Sequence, residues 1–330
     1  MAERSPVNEP RFNRVTLAIG IVMVTLAGAV AAFGFAKLER HPDLGTLVYA
    51  GSGAIYEHNL ATGRDTKLIS VPKDTTVAEP SPDGHFVAYA NPAGALWMYD
   101  VKARRRYQVA EQATIPVGWS PDSKLVAREL VGNGDVVLID PNAGRRGLIR
   151  GNPLTQSLPV WITSSRFAIG DLADPNASML VDTQSSEEPV VKASFGVPLA
   201  ASPDGAQLLA KRDRELREMK VTPSGVTNGH VLFRGDATVA ATSPQGFVAF
   251  AGKDRSGAEG VWVLETGTDL RRIVRGRVDW LVFTRDGSAI CYAKDGAIFA
   301  LPLAGGRTQR VSRSGVKVLT VLSFRVVASK

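Results

Sequence analysis

Short apolar runs, broken by clusters of Gly, Pro, Asn and Asp, set the pattern of this chain. Between Ile115 and Ile149 they read as four strands in succession: Ile115–Trp119, Lys124–Arg128, Val136–Asp140 and Arg145–Ile149. The turn-forming stretches Ser120–Ser123 and Pro141–Gly144 separate them. Runs of this kind predict strands joined by tight turns. The second strand of the set recurs at Thr46–Ala50, His85–Ala90, Lys124–Arg128, Arg166–Gly170, Ala206–Ala210, Gly246–Ala251 and Ser288–Ala293.

A turn phrase recurs with it. Ser-Pro-Asp-Gly stands at Ser81–Gly84 and Ser202–Gly205, with altered copies at Ser120–Ser123, Ser243–Gly246 and Thr284–Gly287. The third turn positions are Asp83, Asp122, Asp204, Gln245 and Asp286, so the steps are 39, 82, 41 and 41 residues. A worn copy at Trp161–Phe167 fills the long step. A period of about 40 residues made of short strands predicts a β-propeller, one four-stranded blade per period. In each turn proline presets φ, Asp bonds to nearby backbone and Gly accepts positive φ, so the aspartates read as turn formers rather than catalysts.

The fold class expected is therefore all-β: a seven-bladed β-propeller over residues 46–330, with six or eight blades remaining open. The chain enters at a second strand. The missing inner strand of the first blade is expected from the other end, as Val316–Leu322, closing the ring and removing sheet edges. Phe324–Ala328 reads as a surplus strand.

Val117-Gly118-Trp119-Ser120-Pro121-Asp122, an apolar strand and then Val137-Leu138-Ile139-Asp140 resemble the PD40 repeat, the WD40-like unit of TolB-type periplasmic propellers. The resemblance covers about residues 46–322. It implies a non-catalytic, protein-binding propeller of the bacterial envelope.

Ahead of the repeats, Val15–Ala36 is 22 residues without a charge. As a helix it would be about 33 Å long, enough to cross a hydrocarbon core of about 30 Å. Arg4, Arg11 and Arg14 precede it, and Lys37 and Arg40 follow it. That favours a short cytoplasmic tail (1–14), a transmembrane helix (15–36), a linker (37–45) and a propeller outside the cytoplasm. The expected location is a bacterial inner membrane, single-pass, with the propeller in the periplasm or outside the cell. Ala29-Val30-Ala31 has the form of a signal-peptidase site, so secretion after cleavage is the alternative. Gly28 and Ala32 form a small-xxx-small pair suited to packing against a partner helix.

The net charge of +7 is mild for 330 residues and is no nucleic-acid footprint. Cys291 is the lone cysteine, and His41, His58, His85 and His230 show no zinc-ligand spacing. No catalytic, cofactor-binding or metal-ligating residue is therefore expected. Innermost strands line a propeller's channel. Their polar members here are Glu79, Asp279 and Lys317, among Val77, Val117, Trp119, Val160, Trp161, Leu199, Val239 and Phe283.

The third-to-fourth-strand turns are basic. They carry Arg64, then Arg104, Arg105 and Arg106, then Arg145 and Arg146, and near the end Arg271, Arg272 and Arg307. In a closed ring these blades are consecutive, so the arginines are expected to form a crescent on one face. The linker, at most about 30 Å long, would turn that face to the membrane. The function expected is a scaffolding subunit that binds other envelope or membrane proteins. The alternative is an enzyme, of hydrolase or lactonase type, or a small-ligand sensor at the channel mouth.

Overall fold

A computed structural model describes residues 44–75, 79–129, 136–149, 157, 159–171, 174–184, 190–265, 269–312 and 326–327. The expected tail, transmembrane helix, Gly28 and Ala32 lie outside these residues, as does 316–322. Among the described residues every regular element is a β-strand. None forms a helix long and apolar enough to cross a membrane.

Hydrogen bonding groups the strands into sheets along the chain. The second sheet is Glu79–Pro80, Phe86–Ala90, Leu96–Asp100 and Arg105–Ala110. The third runs from Ala113–Trp119 to Gly144–Ile149, and the fourth from Val160–Trp161 to Val190–Ala193. The fifth, from Val197–Ala201 to Leu270–Arg275, has seven strands. Its 18-residue strand Gly225–Thr242 pairs with Glu215–Thr222 through its first part and with Val248–Asp254 through its second. The sixth runs from Trp280–Phe283 to Gln309–Arg310.

The first sheet joins both ends of the chain. Thr46–Gly51, Ala54–Asn59 and Arg64–Ser70 follow one another, and Val326–Val327 lies antiparallel on the free side of Thr46–Gly51. Thr46 faces Val327 and Leu47 faces Val326. The segment read from sequence as surplus thus contains the strand that occupies this edge.

Each sheet buries its apolar faces against the next. Val48 and Ile55 of the first sheet share a buried cluster with Val87 and Tyr89 of the second. Leu96 and Met98 meet Trp119 and Val137 of the third. Val136 meets Phe167 and Val181 of the fourth, and Ala168 and Leu180 meet Leu208 and Met219 of the fifth. Within the long sheet, Leu209 and Leu216 meet Phe250 and Trp262. Val261 and Val263 meet Phe283 and Ile290 of the sixth. Cys291 and Ile298 of the sixth then meet Leu47 and Tyr49 of the first. The succession returns to its start, which is the arrangement of a propeller.

Hydrogen bonds reinforce this packing at one-period spacing. Trp119 Nε1 donates to the Glu79 carbonyl at 3.0 Å and Trp161 Nε1 to the Gly118 carbonyl at 3.1 Å. Thr242 Oγ1 donates to the Ala201 carbonyl at 2.7 Å. The strands come so close at Gly118 that a Cβ there would lie 2.7 Å from the Pro159 carbonyl oxygen. No larger residue fits without moving backbone.

These contacts yield two predictions. Trp119→Phe keeps an aromatic ring but loses the donor, and should cost about 1 kcal/mol, whereas Trp119→Ala should cost about 3–5 kcal/mol. Urea unfolding with an unchanged m-value checks both. Deleting 324–330 should lower the thermal midpoint by exposing the edge of Thr46–Gly51; an unchanged midpoint would show that this edge needs no partner.

Candidate functional site

The Ser-Pro-Asp turns frame one face, and their side chains are engaged in holding the turns. Ser81 Oγ donates to Asp83 Oδ1 at 2.5 Å and accepts from the Phe86 amide at 3.0 Å. The same Asp83 oxygen accepts from the His85 amide at 3.0 Å. Ser202 and Asp204 repeat the pattern with the Gln207 and Ala206 amides, and Thr284 and Asp286 with Ala289 and Ser288. Ser120 and Asp122 are bonded likewise, and Lys124 Nζ reaches Asp122 Oδ2 at 2.6 Å. In the worn copy Thr163 takes the serine's place and accepts from Ser165 and Arg166.

These bonds shift the carboxyls. Burial pushes Asp83 up, but the Ser81 hydroxyl, the His85 amide and charge, and the Ser123 hydroxyl outweigh it, so Asp83 sits below its ordinary 3.8. Burial of Asp122 is likewise outweighed by Lys124 and Ser120. At Asp204 the Ser202 hydroxyl and then the Ala206 amide dominate and hold it low.

The third-to-fourth-strand turns share this face. The Val101 amide donates to the His85 carbonyl at 2.9 Å, Thr183 to Ser165 at 2.8 Å, Val221 to Ala206 at 2.9 Å and Leu303 to Ser288 at 2.9 Å. The chain enters here too, since the Leu44 carbonyl accepts from the Arg285 amide at 3.4 Å.

Inner strands of successive sheets surround a cavity of about 370 Å³. Its described wall includes Glu79, Trp119, Val160, Trp161, Leu199 and Trp280, with Pro121 of an inner turn at its rim. Ala200, Ala201, Ala240 and Ala241 line it as well, and their small side chains leave the space open. Glu79 is the only ionisable group among the described lining residues, and only 2% of its surface is exposed.

The inner-strand residues named from sequence thus divide. Glu79, Trp119, Val160, Trp161 and Leu199 reach the cavity, whereas Val239 and Phe283 turn into the core between sheets. Asp279 lies elsewhere, in a second depression of about 340 Å³ with Asp236, Lys253, Glu259 and Arg277. That depression lies at the starts of the inner strands, away from the Ser-Pro-Asp turns. In it Arg277 Nε reaches Asp279 Oδ1 at 3.1 Å, and Asp236 Oδ1 is met by Lys211 Nζ of a neighbouring strand at 2.5 Å. Val77 and Lys317 lie outside the described residues. Trp280 and the alanines escaped the sequence reading; they lie in consecutive runs, Leu199–Ala201, Ala240–Thr242 and Trp280–Val282, so strand alternation alone does not mark them.

Arg64, Arg104, Arg105, Arg106, Arg271, Arg272 and Arg307 are all exposed. Arg104 has φ 52°, the left-handed position taken by Gly63 and Gly144 in the corresponding turns. Arg106 lies over the Trp97 ring at 5.8 Å, and Arg271 is tied to Glu265 and the Leu303 carbonyl. Arg145 and Arg146 lie in the strand Gly144–Ile149. Their sheets are neighbours through the shared clusters, in the order fifth, sixth, first, second, third.

His58 is buried, its Nδ1 3.0 Å from Asp65 Oδ1, which also accepts from Tyr49 Oη at 3.1 Å. His85 and His230 lie beside Asp83 and Glu218. Among the described residues no three His, Cys, Asp or Glu side chains converge as a metal site. Burial pushes the Cys291 thiol up to about 12.

No protein-family model matches the sequence, and no curated protein matches it. Solved structures do match in fold. One is the Myceliophteria thermophila Cps50 (Swd1) β-propeller domain, with TM-score 0.56 at 15% identity, covering 73% of this chain and 86% of that one. Another is an oligogalacturonate lyase in complex with manganese, with TM-score 0.56 at 14% identity, covering 76% of this chain and 83% of that one. At these identities the likeness is one of fold alone. The two are a propeller domain and a lyase.

Two predictions follow from the titrating groups. Carboxyls held below 3.8 in the folded chain contribute stability above that value and lose it as pH falls through their lower folded values. The thermal midpoint should therefore fall on acidification below about pH 4, and Asp83→Asn with Asp122→Asn should flatten that fall. Cys291 should resist iodoacetamide at pH 8 in the native protein and react once the chain is unfolded.

Proposed function

We propose that this chain is a membrane-anchored, extracytoplasmic seven-bladed propeller that docks other envelope proteins and catalyses no reaction. The observation that carries the reading is the run of neighbouring sheets with arginine-bearing turns, whose described arginines are exposed. Closure of the cluster succession supports one continuous arc on the face where Leu44 leads into the first sheet. Counting the two halves of Gly225–Thr242 as an outer and an inner strand supports a count of seven blades. The uncharged run Val15–Ala36 supports the anchor, and a chain entering on the arginine face would turn that face to a bacterial inner membrane. The PD40 and TolB-like resemblance supports a binding role. Secretion after cleavage at Ala29-Val30-Ala31 is the alternative location.

A second reading has its own observation. Asp236, Lys253, Glu259, Arg277 and Asp279 gather charge of both signs around one depression, which favours a small-ligand sensor or an enzyme. The lyase of similar fold shows that this architecture is compatible with catalysis, without assigning any to this chain.

The test compares the full chain with Arg64→Gln, Arg104→Gly, Arg105→Gln and Arg106→Gln combined, purified in mild detergent. Glycine suits the left-handed position at 104. Exposed charge pairs contribute about 0.2–1 kcal/mol each, so losing four should weaken the hold on its companions roughly tenfold. The wild-type complex should weaken as salt rises. Retention of the same companions by the variant at equal salt would rule out the arginine arc as the docking surface.

A further inference from the structure

We propose that the depression between the fifth and sixth sheets binds a small zwitterion: a molecule of amino-acid size with an ammonium group at one end and a carboxylate at the other. The proposal gives the second reading above a ligand class, and the docking role stands or falls apart from it. The depression, of about 340 Å³, falls in the range of about 300–1,000 Å³ usual for small-molecule pockets. The buried Val278 lines it, and it opens on the face opposite the arginine turns.

Strand register sets the order of the charges. Asp236 faces Lys253, and Lys253 faces Glu259, across three neighbouring strands, so the three side chains stand on one side of the sheet. Arg277 and Asp279, at the entry to the sixth sheet, complete the charged lining. Asp236 is already engaged by Lys211 at 2.5 Å, and Asp279 by Arg277 at 3.1 Å. Lys253 and Glu259 are exposed, and among the described residues neither side chain has an ion pair or a hydrogen bond. Opposite charges directly across a sheet ordinarily attract one another. Here Lys253 instead leans over the bare backbone of Gly257, where a Cβ would lie 3.6 Å from its Cε.

These two open groups decide the ligand. Lys253 offers donors to a carboxylate and Glu259 offers acceptors to an ammonium group, from Cβ atoms about 4.5–5.5 Å apart. The charges around them balance: Asp236, Glu259 and Asp279 against Lys211, Lys253 and Arg277. A lone cation would therefore meet Lys253 and Arg277 as well as its acceptor, and a lone anion would meet the carboxylates. A molecule with both charges satisfies both open groups and leaves the net charge unchanged. The bonds are charge-assisted, but water reaches them, so each contributes as an exposed pair does.

Ligand-observed NMR titration of the full chain in detergent tests this with three probes built on one short carbon chain: γ-aminobutyrate, butylammonium and butyrate. The zwitterion should bind about fivefold more tightly than either of the others, equivalent to about 1 kcal/mol for the second charge pair. Lys253→Met should reduce it to the level of butylammonium, and Glu259→Gln to the level of butyrate. Both positions are exposed, so the thermal midpoint should hold in each variant. The combined arginine variant described above should bind the zwitterion as the wild type does, so loss of docking and loss of this site register separately. Equal affinity for the three probes, or no binding of the zwitterion at millimolar concentration, overturns the proposal. So does a preference for the zwitterion that survives in Lys253→Met and in Glu259→Gln.

Discussion

Each sheet of this protein has two apolar faces and can bury them only against the sheets before and after it. Leu96 and Met98 reach forward to Trp119, Val137 reaches back to them, and Val136 reaches forward to Phe167. Such packing has no natural end. A straight stack would leave the faces of its terminal sheets in water. Curving the stack until Cys291 and Ile298 meet Leu47 and Tyr49 removes both exposed faces. Apolar burial, at about 25 cal/mol per Å², is the dominant favourable contribution to folding. The tryptophan bonds to the carbonyls of the preceding inner strand then fix the distance and register between neighbours.

That requirement also makes the two faces and the channel. Because the inner strands of the second to sixth sheets lead into turns of one kind, residues one period apart come to lie around one opening. Glu79, Trp119, Trp161 and Trp280 meet at the cavity although 201 positions separate the first from the last. The outer strands receive the remaining polar residues and the arginines. The architecture separates an inner wall built mostly of apolar residues from the exposed arginines of the outer turns. Holding the turns uses the Ser-Pro-Asp carboxylates themselves, so their oxygens are already engaged by hydroxyl and amide donors.

Most of the fold was legible because two periods coincide in the sequence. The two-residue alternation marks strands, and the forty-residue spacing of the turns marks repeats. The strand expected at Arg166–Gly170 has those bounds, and the one expected at Ser288–Ala293 is Ala289–Lys294. What escaped was set by tertiary context. Gly225–Thr242 continues from one sheet edge to the next inner position because only Gly235 and Asp236 mark a break, and a bulge between Ala237 and Val239 absorbs the change of direction. The cavity was half legible. The inner strands were identified, but which stretch of each strand borders the opening depends on how the sheets pack, which put Glu79 and Trp280 at the cavity, Asp279 in the second depression and Phe283 in the core. The space itself comes from small residues such as Ala240 and Ala241, which carry no chemical signature in a sequence.

The central claim is that the stack is closed by the chain's own end, with Val327 opposite Thr46. Thr46→Cys and Val327→Cys, introduced together with Cys291→Ala, place two thiols at that pairing. Under mild oxidation the folded full chain should form an intramolecular disulfide in high yield, detected by mass spectrometry of the peptides, and should form little of it in urea. A folded protein that gives no such bond, or only disulfides between chains, contradicts the closed arrangement.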